Sequence, residues 1–108
     1  MNDNSEKQKM VKMLKALANP IRLKMIASLH EKPKNVYALA KELEIPYPLA
    51  HLHLNGLKKL GLVKEVRAEQ KVKGLPSVKY YAPSKFEIVL TPETIGKLYA
   101  ESERGKNG

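Results

Sequence analysis

The sequence contains no cysteine, and this absence removes several kinds of chemistry at once. Disulfide bonds, thiolate metal ligands and a cysteine nucleophile are all excluded. Long apolar runs are also missing, because no stretch approaches the roughly 20 apolar residues that a membrane-spanning helix needs. The amino-terminal residues, MNDNSEKQKM, are polar and lack the apolar segment of a signal peptide. We therefore expect a soluble, cytoplasmic protein.

Motifs for catalysis are missing as well. The sequence has no glycine-rich phosphate loop, no paired carboxylates in an apolar setting and no Ser/His constellation at a meaningful spacing. Aromatic side chains are few, with one phenylalanine and five tyrosines, so the stacking platform of an RNA-binding protein is not expected. These absences argue against an enzyme and weaken an RNA-binding function.

Acidic residues are too few to balance the basic ones. Twenty lysine and arginine residues stand against eleven acidic residues, which gives a net charge of +9 and an isoelectric point near 9.8. Residues 7–30 contain six cations and no acid. An excess of this size favours a polyanionic partner, either nucleic acid or an acidic membrane surface. The alternative for the cationic run is an ordinary solvated face.

The spacing of apolar residues predicts three helices in the first half of the chain, at residues 7–17, 20–30 and 35–43. Each has an apolar stripe at helical spacing. Asn19 and Asn35 are suited to begin the second and third helices, because an asparagine side chain accepts hydrogen bonds from free amides of the first turn. The proline that follows Asn19 fits the first helical position.

A fourth helix is expected between residues 45 and 63, separated from the third by a tight turn. Ala50, Leu54 and Leu57 fall on one stripe and should be buried. Gly61 is placed to end this helix, since glycine adopts the left-handed backbone region at little cost. Two short helices joined in this way are a helix-turn-helix candidate.

Two strand-like runs follow, at residues 62–66 and 78–82, and their connection, residues 67–77, is basic. A hairpin with a basic tip after a helix-turn-helix is a wing, which commonly lies along the DNA backbone or enters the minor groove. The alternative is a flexible solvated loop. The apolar segment at residues 86–90 is predicted to form a third strand or to cover the core.

The end of the chain should form one more helix. Thr91 is placed to cap it and Pro92 to occupy its first position. We expect one domain over residues 1–108, with disordered tails at residues 1–5 and 104–108.

Two stretches resemble the ArsR-like winged-helix transcription regulators. Residues 16–22, ALANPIR, match the family motif "ALA-(N/D)-P-x-R". His53-Leu54, Leu57 and Gly61-Leu62-Val63 stand at corresponding positions of the family's recognition region. The resemblance covers roughly residues 14–81. It implies a mainly helical fold with a small β-hairpin, namely a winged helix-turn-helix with flanking N- and C-terminal helices, and it implies a dimeric DNA-binding repressor or activator.

The resemblance also implies which residues enter the major groove. Family members usually have Ser, Thr or Gln at the first positions of the recognition helix, where this chain has Tyr-Pro-Leu. Base readout should therefore rely on Tyr47, His51, Asn55 and apolar contact with thymine methyl groups. The full predicted set on this helix is Tyr47, Pro48, Leu49, His51, Leu52, Asn55, Lys58 and Lys59.

Contacts with the DNA backbone should come from cations outside the recognition helix, because phosphate neutralisation supplies most of the affinity. The predicted wing and backbone contacts are Arg22, Lys24, Arg67, Lys71 and Lys73.

No metal site or other cofactor is expected. Metal-sensing members of the family carry a cysteine pair near the supporting helix, which this chain lacks. His51 and His53 are two residues apart on a helix and so face different directions. The last helix has three glutamates but no histidine.

The first and last helices have apolar stripes beyond what a three-helix core needs. We expect them to form the interface of a homodimer, which would place two recognition helices about 34 Å apart on one palindrome. The alternative is that the stripes complete the core of a monomer. The predicted interface residues are Met10, Leu14, Ile95, Leu98 and Tyr99.

The sequence thus predicts a transcriptional regulator that binds specific double-stranded DNA as a homodimer, with no membrane partner. One alternative is an architectural or chromatin protein with little sequence preference, which the high charge and the hydrogen-bond-poor start of the fourth helix support. Another alternative is a winged-helix module for protein interaction, which the basic charge weakens.

Overall fold

Seven elements of regular structure lie within residues 5–107, the part of the chain that our computed structural model describes. Side chains are described for residues 5–100. The two strands form one antiparallel hairpin and the other elements are helices, which confirms the predicted mainly helical fold with a small hairpin. In chain order the elements are α1 (Glu6–Leu17), α2 (Pro20–Glu31), α3 (Val36–Leu43), α4 (Tyr47–Lys59), β1 (Val63–Glu69), β2 (Val78–Pro83) and α5 (Pro92–Asn107).

The chain divides into two compact units. One unit, Ala16–Phe86, contains α2, α3, α4 and the hairpin. The other is formed by the two ends of the chain, up to Lys15 and from Glu87 onward, and contains most of α1 and all of α5. The single domain expected over residues 1–108 stays a prediction.

Asparagine side chains fix the starts of α2 and α3. Asn19 Oδ1 accepts hydrogen bonds from the backbone N–H groups of Ile21 at 2.9 Å and Arg22 at 3.3 Å. Asn35 Oδ1 accepts one from the N–H of Ala38 at 2.7 Å. Both predicted caps are confirmed, because the free amides of a first turn need local acceptors and the asparagines supply them.

The helices at the chain ends differ slightly from their predicted bounds. Gln8 N donates to Ser5 Oγ at 3.2 Å, so Ser5 caps α1. Thr94 N donates to the predicted cap Thr91 at 3.1 Å. No proline follows Pro92, so nothing blocks α5 sterically, and residues 104–107 continue the helix instead of forming the predicted tail. The disorder predicted for residues 1–4 and 108 lies outside the described residues.

The core of the first unit is built around the buried face of α4. Ala50, Leu54 and Leu57 are 0%, 2% and 0% exposed, which confirms the predicted stripe. Gly61 ends the turn after α4 with a φ of 76° and so allows the chain to reverse direction. Leu62 is fully buried immediately afterwards. Side chains of α2 and α3 complete this core, chiefly Met25, Leu29 and Leu39.

The hairpin extends further than its sequence pattern predicted. β1 continues to Glu69, whereas the predicted strand ended at Val66. The register shifts between Glu65 and Arg67, so a bulge at Val66 lets the ladder resume. Arg67 therefore lies in the strand, opposite Tyr80, and the prediction that placed it in the connection is wrong. A strand that contains a bulge is hard to recognise in a sequence. The alternation of inward and outward side chains reverses at the extra residue, so the strand appears to end there.

The segment at residues 86–90 does not form the predicted third strand. A tight turn, in which Phe86 N donates to Ser84 O at 3.0 Å, separates it from β2, and its last two residues are 54% and 49% exposed. Instead, Lys34 forms an antiparallel bridge with Tyr81 of β2, through backbone hydrogen bonds of 3.2 and 2.9 Å. A bridge of one residue leaves no alternating pattern in the sequence.

This bridge draws the Lys34 side chain into the protein, where it is 8% exposed. Its Nζ donates to Ser28 Oγ at 2.6 Å, Glu42 Oε1 at 3.0 Å and Glu31 Oε1 at 3.4 Å. Burial lowers the pKa of Lys34, but the hydrogen bonds and charges of Glu42 and Glu31 outweigh it, so the pKa lies above its usual value. Charged Lys34 thus joins α2, α3 and β2.

Replacing Glu42 with glutamine should lower the free energy of unfolding by about 1 kcal/mol at neutral pH, because buried Lys34 loses its nearest carboxylate. Glu31→Gln is the matched control: this carboxylate is farther away, at 3.4 Å, and its side chain is 74% exposed. The control should lose about 0.5 kcal/mol or less. Urea unfolding followed by circular dichroism measures both variants, and equal losses would contradict this account of Lys34.

Candidate nucleic-acid interface

The exposed face of α4 carries three side chains that are spaced one helical turn apart. The rings of Tyr47 and His51 lie 5.9 Å apart between centroids, and Asn55 Nδ2 lies 3.1 Å from His51 Nδ1. We call Tyr47, His51 and Asn55 the reading row, after the base contacts that the sequence analysis predicts for them. Because each member contacts the next, the contacts restrict the rotamers of all three.

The remaining predicted residues of α4 surround the reading row. Leu52 is 64% exposed, and Leu49 is half-buried. Lys58 Nζ lies 5.8 Å from the centre of the Tyr81 ring, which holds this cation near the hairpin. The other exposed members of the predicted set are Pro48 and Lys59.

His53 lies on the opposite side of α4 and is 8% exposed, in agreement with the prediction that it faces away from His51. Arg22 Nε donates a hydrogen bond to His53 Nδ1 at 3.2 Å. Burial and, to a smaller extent, the charge of Arg22 hold the pKa of His53 below its usual value. The neutral ring can therefore accept this hydrogen bond at neutral pH.

Arg22 makes a second contact inside the same unit. Its Nη1 donates to the carbonyl oxygen of Ala16 at 3.3 Å. The guanidinium group thus bonds to two protein acceptors, while the side chain as a whole is half-buried. The phosphate contact expected of Arg22 stays a prediction.

Lys24, the other predicted cation of α2, is exposed in a different environment. It lines a depression that is also lined by Glu31, Glu42 and Glu44. The charge of Lys24 therefore lies near carboxylates. The phosphate contact expected of Lys24 stays a prediction.

Two of the predicted wing cations share one carboxylate. Glu69 accepts from Arg67 Nε at 2.9 Å and lies 3.0 Å from Lys71 Nζ. The hydrogen bonds from Lys71 and Arg67 lower the pKa of Glu69 and keep it ionised. Both cations also lie over the ring of Tyr80, at 4.0 Å for Arg67 and 5.8 Å for Lys71. The third predicted cation, Lys73, is exposed and has no acidic partner among residues 5–100.

A groove of about 500 Å³ connects the reading row with the wing. The predicted residues Tyr47, His51 and Lys71 line it together. Sequence reasoning missed Tyr37, which is 68% exposed at the start of α3, because nothing in the sequence shows that this ring lines the same groove as Tyr47. It also missed Tyr80 because nothing in the sequence pairs that ring with Arg67. Further lining residues that the sequence did not suggest are Asn35, Ser77, Lys79 and Tyr81.

No group of three or more histidine or acidic side chains in the described part of the chain is arranged to hold a metal ion. None of the helices within residues 5–107 has both the length and the apolar character needed to cross a membrane.

The order of elements and the exposed face of α4 define a winged helix-turn-helix protein. Residues 19–65 match the family described as bacterial regulatory protein, arsR family. The chain is 38% identical over 89 residues to the uncharacterized HTH-type transcriptional regulator MJ0229 of Methanocaldococcus jannaschii, a match that covers 82% of this chain and 90% of the relative. The chain belongs to the ArsR family of transcriptional regulators, which is a family of DNA-binding proteins and not of enzymes.

Solved structures agree with this assignment. NolR from Sinorhizobium fredii is 28% identical, with a TM-score of 0.62, over 91% of this chain and 85% of NolR. The winged helix-turn-helix DNA-binding domain of Mb0332 from Mycobacterium bovis, described as homodimeric, has a TM-score of 0.59 at 24% identity. That match covers 99% of this chain and 91% of the domain. The predicted fold and family are therefore confirmed.

Proposed function

We propose that this protein regulates transcription by binding specific double-stranded DNA as a homodimer, with α4 in the major groove and the wing on the backbone or in the minor groove. The observation that carries the proposal is the reading row. Tyr47 and His51 are exposed and Asn55 is half-buried, on a side of α4 that lies next to its buried stripe. An α-helix fits the major groove, where base edges present distinct donors and acceptors.

The chemistry of the reading row suits base recognition. An asparagine amide can bind the N6 and N7 positions of adenine, while the histidine ring and the tyrosine hydroxyl can donate to or accept from base edges. Leu52, which is 64% exposed beside the row, can contact a thymine methyl group. This set offers few hydrogen bonds but combines them with apolar surface.

The charge of the chain supplies the part of the affinity that does not depend on sequence. Lys58 and Lys59 lie at the end of α4, and the wing contributes Lys71 and Lys73. Each phosphate that such a cation neutralises releases counterions, so binding should weaken as salt is added. The net charge of +9 favours this mode of binding.

A titration against the protein's own upstream DNA and a scrambled duplex, at two salt concentrations, tests the proposal. We expect a preference of about 10³ or more for the upstream DNA. The double variant His51→Ala, Asn55→Ala should lose about 10- to 100-fold of that preference while keeping its helical circular dichroism spectrum. His30→Ala, an exposed histidine on α2, is the control and should bind like the wild type.

Other outcomes would favour other functions. Equal, salt-sensitive binding to both duplexes would support an architectural protein with little sequence preference. Absence of binding to either duplex would support the protein-interaction module. A double variant that keeps full preference would remove the reading row from base recognition.

The wing provides a matched test of the backbone contacts. Lys73→Gln should flatten the dependence of log affinity on log salt by about 0.9, because exposed Lys73 has no acidic partner in the described structure. Lys71→Gln should flatten it less, since Lys71 already lies 3.0 Å from Glu69. Binding isotherms across a sodium chloride series measure both slopes. Equal changes would contradict this difference between the two lysines.

The homodimer is proposed from the apolar surface of the second unit. A groove of about 170 Å³ is lined almost entirely by apolar side chains of α1 and α5. Ile95 and Tyr99 remain 43% and 45% exposed, and Met10, Leu14 and Leu98 are only half-buried. No residue of α5 within residues 92–100 is fully buried, which favours an interface over completion of a monomer core. The homodimeric state described for Mb0332 supports the same assignment.

Ile95→Glu should convert the dimer into a monomer, because a charge would be buried without a partner in the interface. Ala100→Glu adds the same charge at an exposed position of α5 and should leave the dimer intact. Analytical ultracentrifugation at micromolar concentration measures the mass of each. A monomeric wild-type protein would refute the homodimer, and a dimeric Ile95→Glu variant would place the interface elsewhere.

A further inference from the structure

We propose that Arg22 is a positioning residue that holds α4 in its DNA-binding orientation through His53, so that specific DNA binding weakens when His53 is protonated. The inference rests on the proposed function. It gives Arg22 a role different from the phosphate contact that its charge suggests.

The geometry joins three helices at one guanidinium group. Arg22 extends from α2, donates to Ala16 O at the end of α1 at 3.3 Å, and donates to His53 Nδ1 on α4 at 3.2 Å. The guanidinium also lies close to Gly56 of α4, one turn after His53. A Cβ atom at Gly56 would stand 3.6 Å from Nη2 of Arg22. The guanidinium therefore rests on the helix as well as bonding to it.

This contact differs in kind from the others that hold α4. The buried stripe of Ala50, Leu54 and Leu57 packs through apolar contact, which has little directional preference. Among the hydrogen bonds of the described side chains, Arg22–His53 is the one that links α4 to another helix. A directional bond restricts rotation of α4 about its own axis, and such a rotation would move the reading row.

The bond depends on the protonation state of His53. To accept from Arg22 at Nδ1, the neutral His53 ring must carry its proton on Nε2. Imidazolium carries protons on both nitrogens and accepts no hydrogen bond. Protonation would also set a second positive charge against the guanidinium of Arg22. The bond is therefore replaced by repulsion when the ring gains a proton.

No other charged group compensates. Among the charged groups in the described part of the chain, Arg22 is the one whose charge shifts the pKa of the His53 ring. On α3, Glu42 is held by Lys34, and on α4 itself Lys58 lies over Tyr81. β1 enters the core beside α4 with apolar Val63. Glu65 and Glu69, the acids of β1, do not contribute to the pKa shift of His53, so no acid in these elements stabilises imidazolium.

The lowered pKa of His53 decides how stability changes with pH. The pKa of folded His53 lies below its usual value of 6.5, so the unfolded chain binds the proton more readily. The stability that neutral His53 contributes is present in full above about pH 6.5 and is lost as the pH falls through the lower folded pKa. The orientation of α4 should weaken over the same range.

The test compares two substitutions of Arg22. Arg22→Lys keeps the positive charge but loses the planar fork that reaches two acceptors, and Arg22→Gln loses both. We expect both variants to lose about tenfold in specific affinity at about pH 7.5, with the salt slope unchanged. If Arg22 instead contacts a phosphate, Arg22→Gln should flatten the slope by about 0.9 and Arg22→Lys should bind like the wild type.

The pH arm uses His53→Asn, whose side-chain oxygen takes the place of Nδ1, can accept from Arg22 and does not titrate. As the pH is lowered from about 7.5 through the range in which folded His53 gains its proton, the preference of the wild type for specific DNA should fall, and His53→Asn should reduce that fall. His51 is present in both proteins, so the difference between them reports His53. His30→Asn should behave like the wild type. An unchanged fall in His53→Asn would overturn the proposal.

A measurement without DNA separates this inference from the proposed function. Imidazole nitrogen chemical shifts should show an unprotonated His53 Nδ1 at about pH 7.5, with a shift that changes in Arg22→Lys. Failure of the wild type to prefer any DNA, together with these shifts, would refute the proposed function but leave the contact intact. Shifts that are identical in the wild type and Arg22→Lys would refute the contact itself, whatever the DNA result. They would do so even if one of the substituted proteins were less stable.

Discussion

Burial of one face of α4 is the constraint on which the rest of the structure depends. An α-helix has 3.6 residues per turn, so burying Ala50, Leu54 and Leu57 fixes which side chains remain outside. The reading row lies beside this stripe, roughly 90° around the helix axis. Core packing and the proposed recognition surface are therefore set by the same few residues, and a change in the stripe that rotates α4 would alter both.

Some basic residues of this chain bond to other protein groups and others are free to contact phosphates, and the net charge does not distinguish the two. Lys34 and Arg22 act inside the first unit, where they bond to carboxylates or to neutral acceptors. Arg67 and Lys71 are paired with Glu69 at the surface. The number of cations free to meet a nucleic acid is therefore smaller than the twenty lysine and arginine residues suggest. Salt dependence reports the cations that meet phosphates and is a better measure than composition.

The parts of the fold that could be predicted are those decided by neighbours in the sequence. The caps at Asn19 and Asn35, the buried stripe of α4 and the end at Gly61 all depend on residues within one or two turns. The missed features join distant residues. Lys34 pairs with a strand far along the chain, and Arg22 reaches a histidine 31 positions away. Periodicity has no information about such contacts, and it also failed at the bulge that carries Arg67 into β1. In the candidate site, helical spacing placed Tyr47, His51 and Asn55 off the buried stripe and the family resemblance suggested their role, whereas Tyr37 enters the groove and Tyr80 meets the wing cations only through tertiary packing.

The contacts among Tyr47, His51 and Asn55 offer a physical explanation for the unusual Tyr-Pro-Leu start of α4. Tyr-Pro-Leu offers few hydrogen bonds to bases, but Tyr47, His51 and Asn55 are already restrained by one another. Ordering a flexible side chain on binding costs about 0.5–1.5 kcal/mol, and side chains ordered beforehand avoid part of that cost. A recognition helix with few polar groups can discriminate between sequences if those groups are held in place. The restraint within the row and the Arg22 contact behind it act together, since the row can be no better oriented than the helix that carries it.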